Sequence, residues 1–366
     1  IVNLVGTSAR VSGKWVTDNV DQGVVDTLVN GSGAGAEETG QLLRKQLKRK
    51  DVLSFFANLK PCLIGVEACG SAHYWGRKLG EFGHTVRLMA PQFVKPYVKS
   101  NKNDRNDAEA ICEAVGRANM RFVPLKNAQM QAMLALHRAR QGFVKARTAQ
   151  GNQIRGLLAE FGIVIAQGLT HISKRIPEIL EDGENGLPAM MRQLLERLGE
   201  NLKAMDQQVR ELEQQIKLWH QQNEQSCRLE KIAGIGPLTA SALVAAVGDA
   251  KQFHNARQMT AWLGMVPRHQ GTGGKVTLGG ISKRGDVYLR TLLIHGARAV
   301  VSRFERLTNP PDGGLKRLLA RRNKNVAVVA LAASSPALSF DQLSSSLSVS
   351  FTLKPYLRKK IESSLG

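Results

Sequence analysis

A chain of 366 residues with 43% apolar side chains can bury a substantial core and is long enough for two or three domains, which excludes a disordered tail. Its 51 lysines and arginines outnumber 30 acidic residues and leave a formal charge of +21, so its field attracts polyanions and puts nucleic acid ahead of other partners. A ribosome-associated protein is the plain alternative; an anionic-membrane binder is disfavoured because the basicity is spread along amphipathic helices, with no polybasic block.

Cys62, Cys69, Cys112 and Cys227 form no Cys-x-x-Cys pair, and no histidine pair completes a zinc spacing. They read as reduced thiols. No apolar run reaches the roughly 18 residues of a membrane span, and the N-terminus lacks the plan of a secretion signal, so a cytoplasmic protein is expected. The chain begins with Ile1, which points to a fragment or to a reading frame whose start lies elsewhere.

Residues from Ile1 to about Gln41 carry the glycine-rich Gly31-Ser32-Gly33-Ala34-Gly35 and no sustained period, so a weakly structured opening is expected. From Pro61 the pattern sharpens. Cys62 to Glu67 reads as an apolar strand, Ser71 to Phe82 as a helix and Thr85 to Met89 as a second strand, a βαβ-like unit. Asp104 to Val115 follows as a helix with acidic residues in its first turn, where the helix dipole favours them. Long helical patterns between Asn127 and Phe161 carry His137, Arg138, Arg140, Lys145, Arg147 and Arg155, which suits a basic face along a phosphate backbone or, more plainly, a solvated surface.

Leu195, Leu198, Leu202, Met205, Val209, Leu212, Ile216 and Trp219 alternate spacings of three and four, the seam of a coiled coil. A dimerising coil is preferred over an intramolecular hairpin because the polar faces are rich in Gln, Glu and Arg. Gly234-Ile235-Gly236-Pro237 then separates two helical stretches, the second from Leu238 to Val247. Such a turn can point amide groups at a DNA phosphate, as a helix-hairpin-helix does. Arg268 to Lys275 reads as a flexible, basic, hydroxyl-bearing loop before a helix from Lys283 to Val301. After Ala333 the serine-rich text loses its periodicity, and a frayed tail is expected.

Glu67 closes an apolar strand, and Asp104 and Asp107 lie three apart at a helix start, able to face one point. Three converging carboxylates would suit a hard divalent cation such as Mg2+, whose usual work beside phosphates is in-line phosphoryl transfer. Helix N-capping is the competing role for Asp104 and Asp107.

Five runs carry a family resemblance: LKRKDVLSFFANLKPCLIGVEACGSAHYW, RLMAPQFVKPYVKSNKNDRNDAEAICEAV, LHRARQGFVKARTAQGNQIRGLLAEFGI, KIAGIGPLTASALVAAVGDAKQF and PRHQGTGGKVTLGGISKRGDVYLRTLLIHGARAV. They resemble transposases of insertion-sequence family one-ten, and within it the eleven-eleven subgroup, over about Leu43 to Ala333. The resemblance implies an α/β RNase H-like domain related to the RuvC junction resolvase with an Asp-Glu-Asp-Asp tetrad. It also implies a C-terminal serine nucleophile and a structured guide RNA encoded by the element, and the residue patterns above add a mainly α part with the coiled coil and the helix-hairpin-helix. Glu67, Asp104 and Asp107 take three tetrad positions and would hold Mg2+. The first aspartate belongs to a Gly-Ile-Asp-x-x-Lys strand that nothing before Leu43 reproduces, although Asp21 and Asp26 lie at a comparable distance. The opening forty residues, through Val24 to Gly31, resemble a piece of the antiporter-like subunit of respiratory NADH dehydrogenase, which would make the frame a hybrid.

At the nucleophile position stands Thr272, whose extra methyl crowds in-line attack and stiffens χ1. Ser282 is the nearby alternative hydroxyl, with helix N-capping as its plain role. Gly234, Gly236, Lys275, Lys283, Arg284 and Arg290 are the expected DNA contacts, the cations serving as phosphate clamps. The implied layout is an atypical leader over 1–42, a partial RNase H-like domain over 43–122, helical and coiled-coil segments over 123–228, a C-terminal domain over 229–333 and a divergent tail over 334–366. A homo-dimer or tetramer on DNA, without membrane contact, is expected. The rival functions are a metal-dependent junction nuclease without a covalent step and a catalytically defective remnant that only binds nucleic acid.

Overall fold

The computed structural model describes residues 3–7, 9–16, 24–31, 41–98, 104–272, 275–307 and 313–344. Its contacts divide the chain into a unit Ile1–Ala128 and a unit Gln129–Gly366.

The first unit opens on four strands, β1 (Asn3–Thr7), β2 (Ala9–Val16), β3 (Val24–Gly31) and β4 (Gln41–Lys48), each antiparallel to the next. This corrects the expected weakly structured opening. The strands are short and broken by glycine, and their stabilising partners are other strands, so local periodicity carries little of the signal. There follow α1 (Val52–Ala57), β5 (Leu63–Glu67), α2 (Ala72–Gly80), β6 (Thr85–Met89), α3 (Pro91–Val94), α4 (Asp104–Val115) and β7 (Phe122–Val123). The sheet order is β4-β3-β2-β1-β5-β6-β7, with β5 and β6 parallel and β1 antiparallel to β5.

β5 is apolar because it is covered on both faces. Ile64 and Val66 join Val52, Phe56, Trp75, Leu79 and Leu88 in one cluster, while Leu63 packs on the opposite cluster of Met89, Val94, Ala110, Ile111, Ala114 and Val115. Between them Gly65 lets α4 come close: a Cβ there would lie 3.0 Å from Val115 Cβ. The α2 face is tied down by His84, buried, whose Nε2 lies 2.9 Å from the Phe56 carbonyl and whose Nδ1 accepts from Cys62 N–H at 3.2 Å.

The second unit is helical. It comprises α5 (Ala128–Ala159), α6 (Leu169–Glu181), α7 (Ala189–Gln222), α8 (Glu224–Glu230), α9 (Pro237–Val247), α10 (Ala256–Trp262), the hairpin β8 (Pro267–Thr272) and β9 (Lys275–Ile281), α11 (Val287–Glu305), α12 (Gly314–Arg321) and α13 (Lys324–Ser344). Helix α13 carries regular structure to Ser344, past the point at which fraying is expected from Ala333 onward.

Helices α5 and α7 run antiparallel, because partners rise on one as they fall on the other: Arg140 with Glu213, Arg147 with Asp206, and Gln150 with Asn201 and the Leu198 carbonyl. Leu195, Leu202, Val209 and Ile216, seven apart, are all buried. Leu195 and Leu202 pack with Ile154, Leu158, Ile172 and Ile176, and Ile216 with Met133. The seam expected to bind a second copy is therefore filled by the chain's own α5 and α6. The spacing that makes a coil is the same in either case; only the partner differs.

A separate core unites α8, α9, α10, α11 and α13 around Leu229, Leu243, Val247, Met259, Leu263, Leu293 and Val328. Among the described residues no helix is long and apolar enough to cross a membrane.

Candidate active site

Glu67 is the last residue of β5, half-buried, in register with Met89 of β6. Because successive strand residues alternate faces, Glu67 shares a face with Leu63 and Gly65, the face that α4 covers. On α4, positions 104 and 107 fall on the stripe that continues through Ile111, Ala114 and Val115, which is the sheet-facing stripe. The side chains of Asp104 and Asp107 lie outside the described residues.

Three carboxylates are hard oxygen donors of the kind a divalent cation takes, so the donor chemistry fits. The set is one short of a tetrad. Strand β1, the neighbour of β5, reads Asn3-Leu4-Val5-Gly6-Thr7 and holds no acid. Asp26 lies on β3, three strands from β5, which at the usual strand spacing is about 14 Å. Asp21 falls outside the described residues. Among the described residues no group of three His, Cys, Asp or Glu forms a metal centre.

Thr272 ends β8, opposite Lys275 at the start of β9. The expected flexible loop is thus largely two antiparallel strands, paired up to Thr272 and Lys275. The side chains of Thr272 and Lys275 are outside the described residues. At the hairpin's base Ser282 N–H donates to the Val266 carbonyl at 2.8 Å and Lys283 N–H to Gly264 at 2.9 Å. A Cβ on Gly285 would meet the Trp262 carbonyl oxygen at 2.2 Å, so the chain leaving the hairpin is pressed against the end of α10. Helix α11 starts at Val287, capped by Asp286, which accepts from Leu289 N–H at 3.0 Å. Ser282 is therefore not the cap, and the helix begins four residues later than expected.

Lys283 and Arg284 are exposed beside this base. Arg290, expected on the DNA-facing surface, is buried and donates through one Nη to the carbonyls of Leu263 at 3.1 Å and Gly285 at 3.3 Å. Its charge holds α11 to the hairpin's root. Gly234, at φ +87°, turns the chain between α8 and α9 and sits against Gly296 of α11, whereas a Cβ on Gly236 would meet nothing within 4 Å. Only the second glycine of the turn is open.

The expected basic face of α5 divides. Arg138 and Lys145 are exposed, Arg155 is half-buried beside Asn152, and His137, Arg140 and Arg147 turn inward. His137 is 1% exposed, with Nδ1 2.9 Å from Tyr288 Oη and Nε2 3.1 Å from Ser241 Oγ. Burial, helped by the Arg140 charge, lowers its pKa to about 4. An unfolded histidine titrates near 6.5, so between those values the unfolded chain binds the extra proton. Stability is complete above pH 6.5 and falls as pH drops toward 4, by about 3 kcal/mol from this residue. Urea unfolding between about pH 7 and pH 4 should show that slope, and His137→Gln should flatten it; an unchanged slope would refute the assignment.

A carboxylate closing an apolar strand in the first unit, and exposed Lys283 and Arg284 beside a β-hairpin in the second, fit a basic protein that acts on nucleic acid. The family model described as "Transposase IS116/IS110/IS902 family" matches residues 226–310, and a second model, described as "Transposase" for the DEDD type of this family, matches residues 35–163. A "probable family 20 transposase" of Pseudomonas aeruginosa is 51% identical over 290 residues, 79% of this chain and 86% of the relative. The "transposase for insertion sequence element IS1111A" of Coxiella burnetii is 44% identical over 299 residues, 81% of this chain and 82% of its own. The "transposase for insertion sequence element IS1328" of Yersinia enterocolitica is 42% identical over 291 residues, 80% and 86% respectively. The chain belongs to the IS110 family of insertion-sequence transposases. Membership of the DEDD type implies dependence on a divalent metal ion.

Proposed function

We propose that this chain mobilises an insertion sequence by metal-assisted phosphoryl transfer, with the Thr272 hydroxyl as nucleophile. The observation that carries the reading is the shared layer: Glu67 lies on the sheet face covered by the α4 stripe that includes positions 104 and 107. Glu67, Asp104 and Asp107 would hold Mg2+, which supplies charge neutralisation at the scissile phosphate. The protein's own part is to hold the carboxylates in an RNase H-like frame and to present a hydroxyl. Attack of Thr272 Oγ1 on phosphorus forms a phosphoester and releases the DNA oxygen, and reversal by another strand's hydroxyl reseals the DNA without ATP. Lys283 and Arg284 beside the hairpin base would bind the phosphate, with Gly236 offering a sequence-independent backbone contact. DNA, an element-encoded guide RNA and a second copy of the chain are the partners.

Glu67→Gln tests the acidic half. It keeps the volume and removes the charge, so the single-turnover rate of strand cleavage on element ends should drop on the order of 10²–10³-fold while DNA affinity holds. An undiminished rate would remove Glu67 from the site.

One observation favours a second reading, a nucleic-acid binder without catalysis: β1, beside β5, carries no acid. Retained DNA binding with no cleavage at any Mg2+ concentration would select it.

A further inference from the structure

The strongest internal feature the mechanism leaves unused is a line of side chains through the second unit. Arg140 donates to Glu213 from Nε at 2.8 Å and from an Nη at 2.5 Å, and its charge, close to His137 and Tyr288, works against a proton on either. The Tyr288 hydroxyl lies 2.9 Å from His137 Nδ1. At the far end, Ser241 Oγ lies 2.6 Å from the Pro237 carbonyl, which can only accept. The serine proton goes there, and Ser241 takes a hydrogen bond from His137 Nε2–H. A neutral His137, in keeping with its lowered pKa, then carries its hydrogen on Nε2 and accepts from the Tyr288 hydroxyl at Nδ1.

The line runs through His137 of α5, which the Arg140–Glu213 pair ties to α7, and ends at two places that matter for the reaction. Pro237 opens α9 directly after the Gly234-Ile235-Gly236 turn. Tyr288 is the second residue of α11, two after the Asp286 cap and six after Ser282, which is bonded to the root of the β8–β9 hairpin. We propose that His137 is a positioning residue which, through Tyr288 and Ser241, fixes the hairpin bearing Thr272 and the adjoining glycine turn on the α5–α7 pair. This rests on the reading of Thr272 as nucleophile. Nothing in the line touches the reacting atoms. Its effect is on geometry, where a small displacement of a nucleophile costs rate without loss of binding.

Tyr288→Phe keeps the ring and removes the link. Two measurements on the full chain report the outcome. Amide hydrogen exchange at Ser282 and Lys283 should quicken about fivefold or more while Ile172 and Leu195 stay unchanged. The rate of covalent adduct formation on element ends should fall about tenfold or more at unaltered DNA affinity. The double variant Tyr288→Phe with His137→Leu removes the stranded polar group as well, so it should regain melting temperature. It should not regain the exchange protection or the rate. Unchanged exchange at the hairpin root in Tyr288→Phe, or recovery of rate together with melting temperature in the double variant, overturns the inference. An adduct that persists in Thr272→Ala instead overturns the nucleophile reading alone, because the exchange measurement does not depend on turnover.

Discussion

Thr272→Ala is expected to abolish the covalent protein–DNA adduct, and Thr272→Ser to raise its rate of formation several-fold. The alanine variant has no oxygen to attack phosphorus, and loss of a nucleophile that acts as one unit with its activating groups lowers turnover on the order of 10⁴-fold or more. Serine keeps the hydroxyl and sheds the methyl that restricts χ1 and crowds the in-line path. The place in the fold suits either residue: Thr272 ends β8 opposite Lys275, and backbone pairing rather than the side chain closes the hairpin. Neither substitution should therefore disturb folding. The measurement is a denaturing gel of end-labelled element DNA with wild-type, alanine and serine chains in Mg2+. A labelled band persisting with alanine would move the nucleophile elsewhere, with Ser282 the first candidate.

Much of the frame around the acidic residues is legible in the sequence because its signals are local. An apolar run between Pro61 and Gly70 marks β5, and an acidic first turn before an apolar stripe marks α4, whose bounds Asp104–Val115 match the expected ones. Strands β1 to β3 are hidden because their partners lie in other strands. The hairpin is hidden for a different reason: the basic, glycine-rich text from Arg268 to Lys275 lacks the alternation of a strand and fits a flexible loop. His137, Arg140 and Arg290 show the deepest limit. Their charges suggest phosphate, yet Glu213, Tyr288, Ser241 and two backbone carbonyls hold them, and distant partners leave no local spacing to read. The same holds for the coil. A heptad states that a helix needs an apolar partner, and α5 of the same chain meets that need.

Gly296→Ala is expected to unfold or severely weaken the C-terminal core, against the direction helix propensity would give. Glycine inside a helix such as α11 is less favourable than alanine by about 1 kcal/mol, so on backbone grounds alone alanine should stabilise. That gain should appear at Gly142 and Gly156 of α5, where a Cβ would meet nothing within 4 Å. At Gly296 a Cβ would stand 1.8 Å from the Gly234 carbonyl oxygen, and reciprocally a Cβ on Gly234 would lie 3.0 Å from Gly296 backbone. The obstacle is main chain on both sides, so no side-chain rotation relieves it. Either α11 withdraws and opens the core around Leu243, Leu293 and Val301, or the α8–α9 turn gives up its shape. Overpacking that separates buried backbone in this way belongs with the largest single-residue effects, about 4 kcal/mol or more, and a fall in melting temperature of about 10 °C. Scanning calorimetry of the three alanine variants decides the matter. If Gly296→Ala melts at or above wild type alongside the two α5 variants, the close approach of the glycine turn to α11 is wrong, and with it the placement of the turn that leaves Gly236 open.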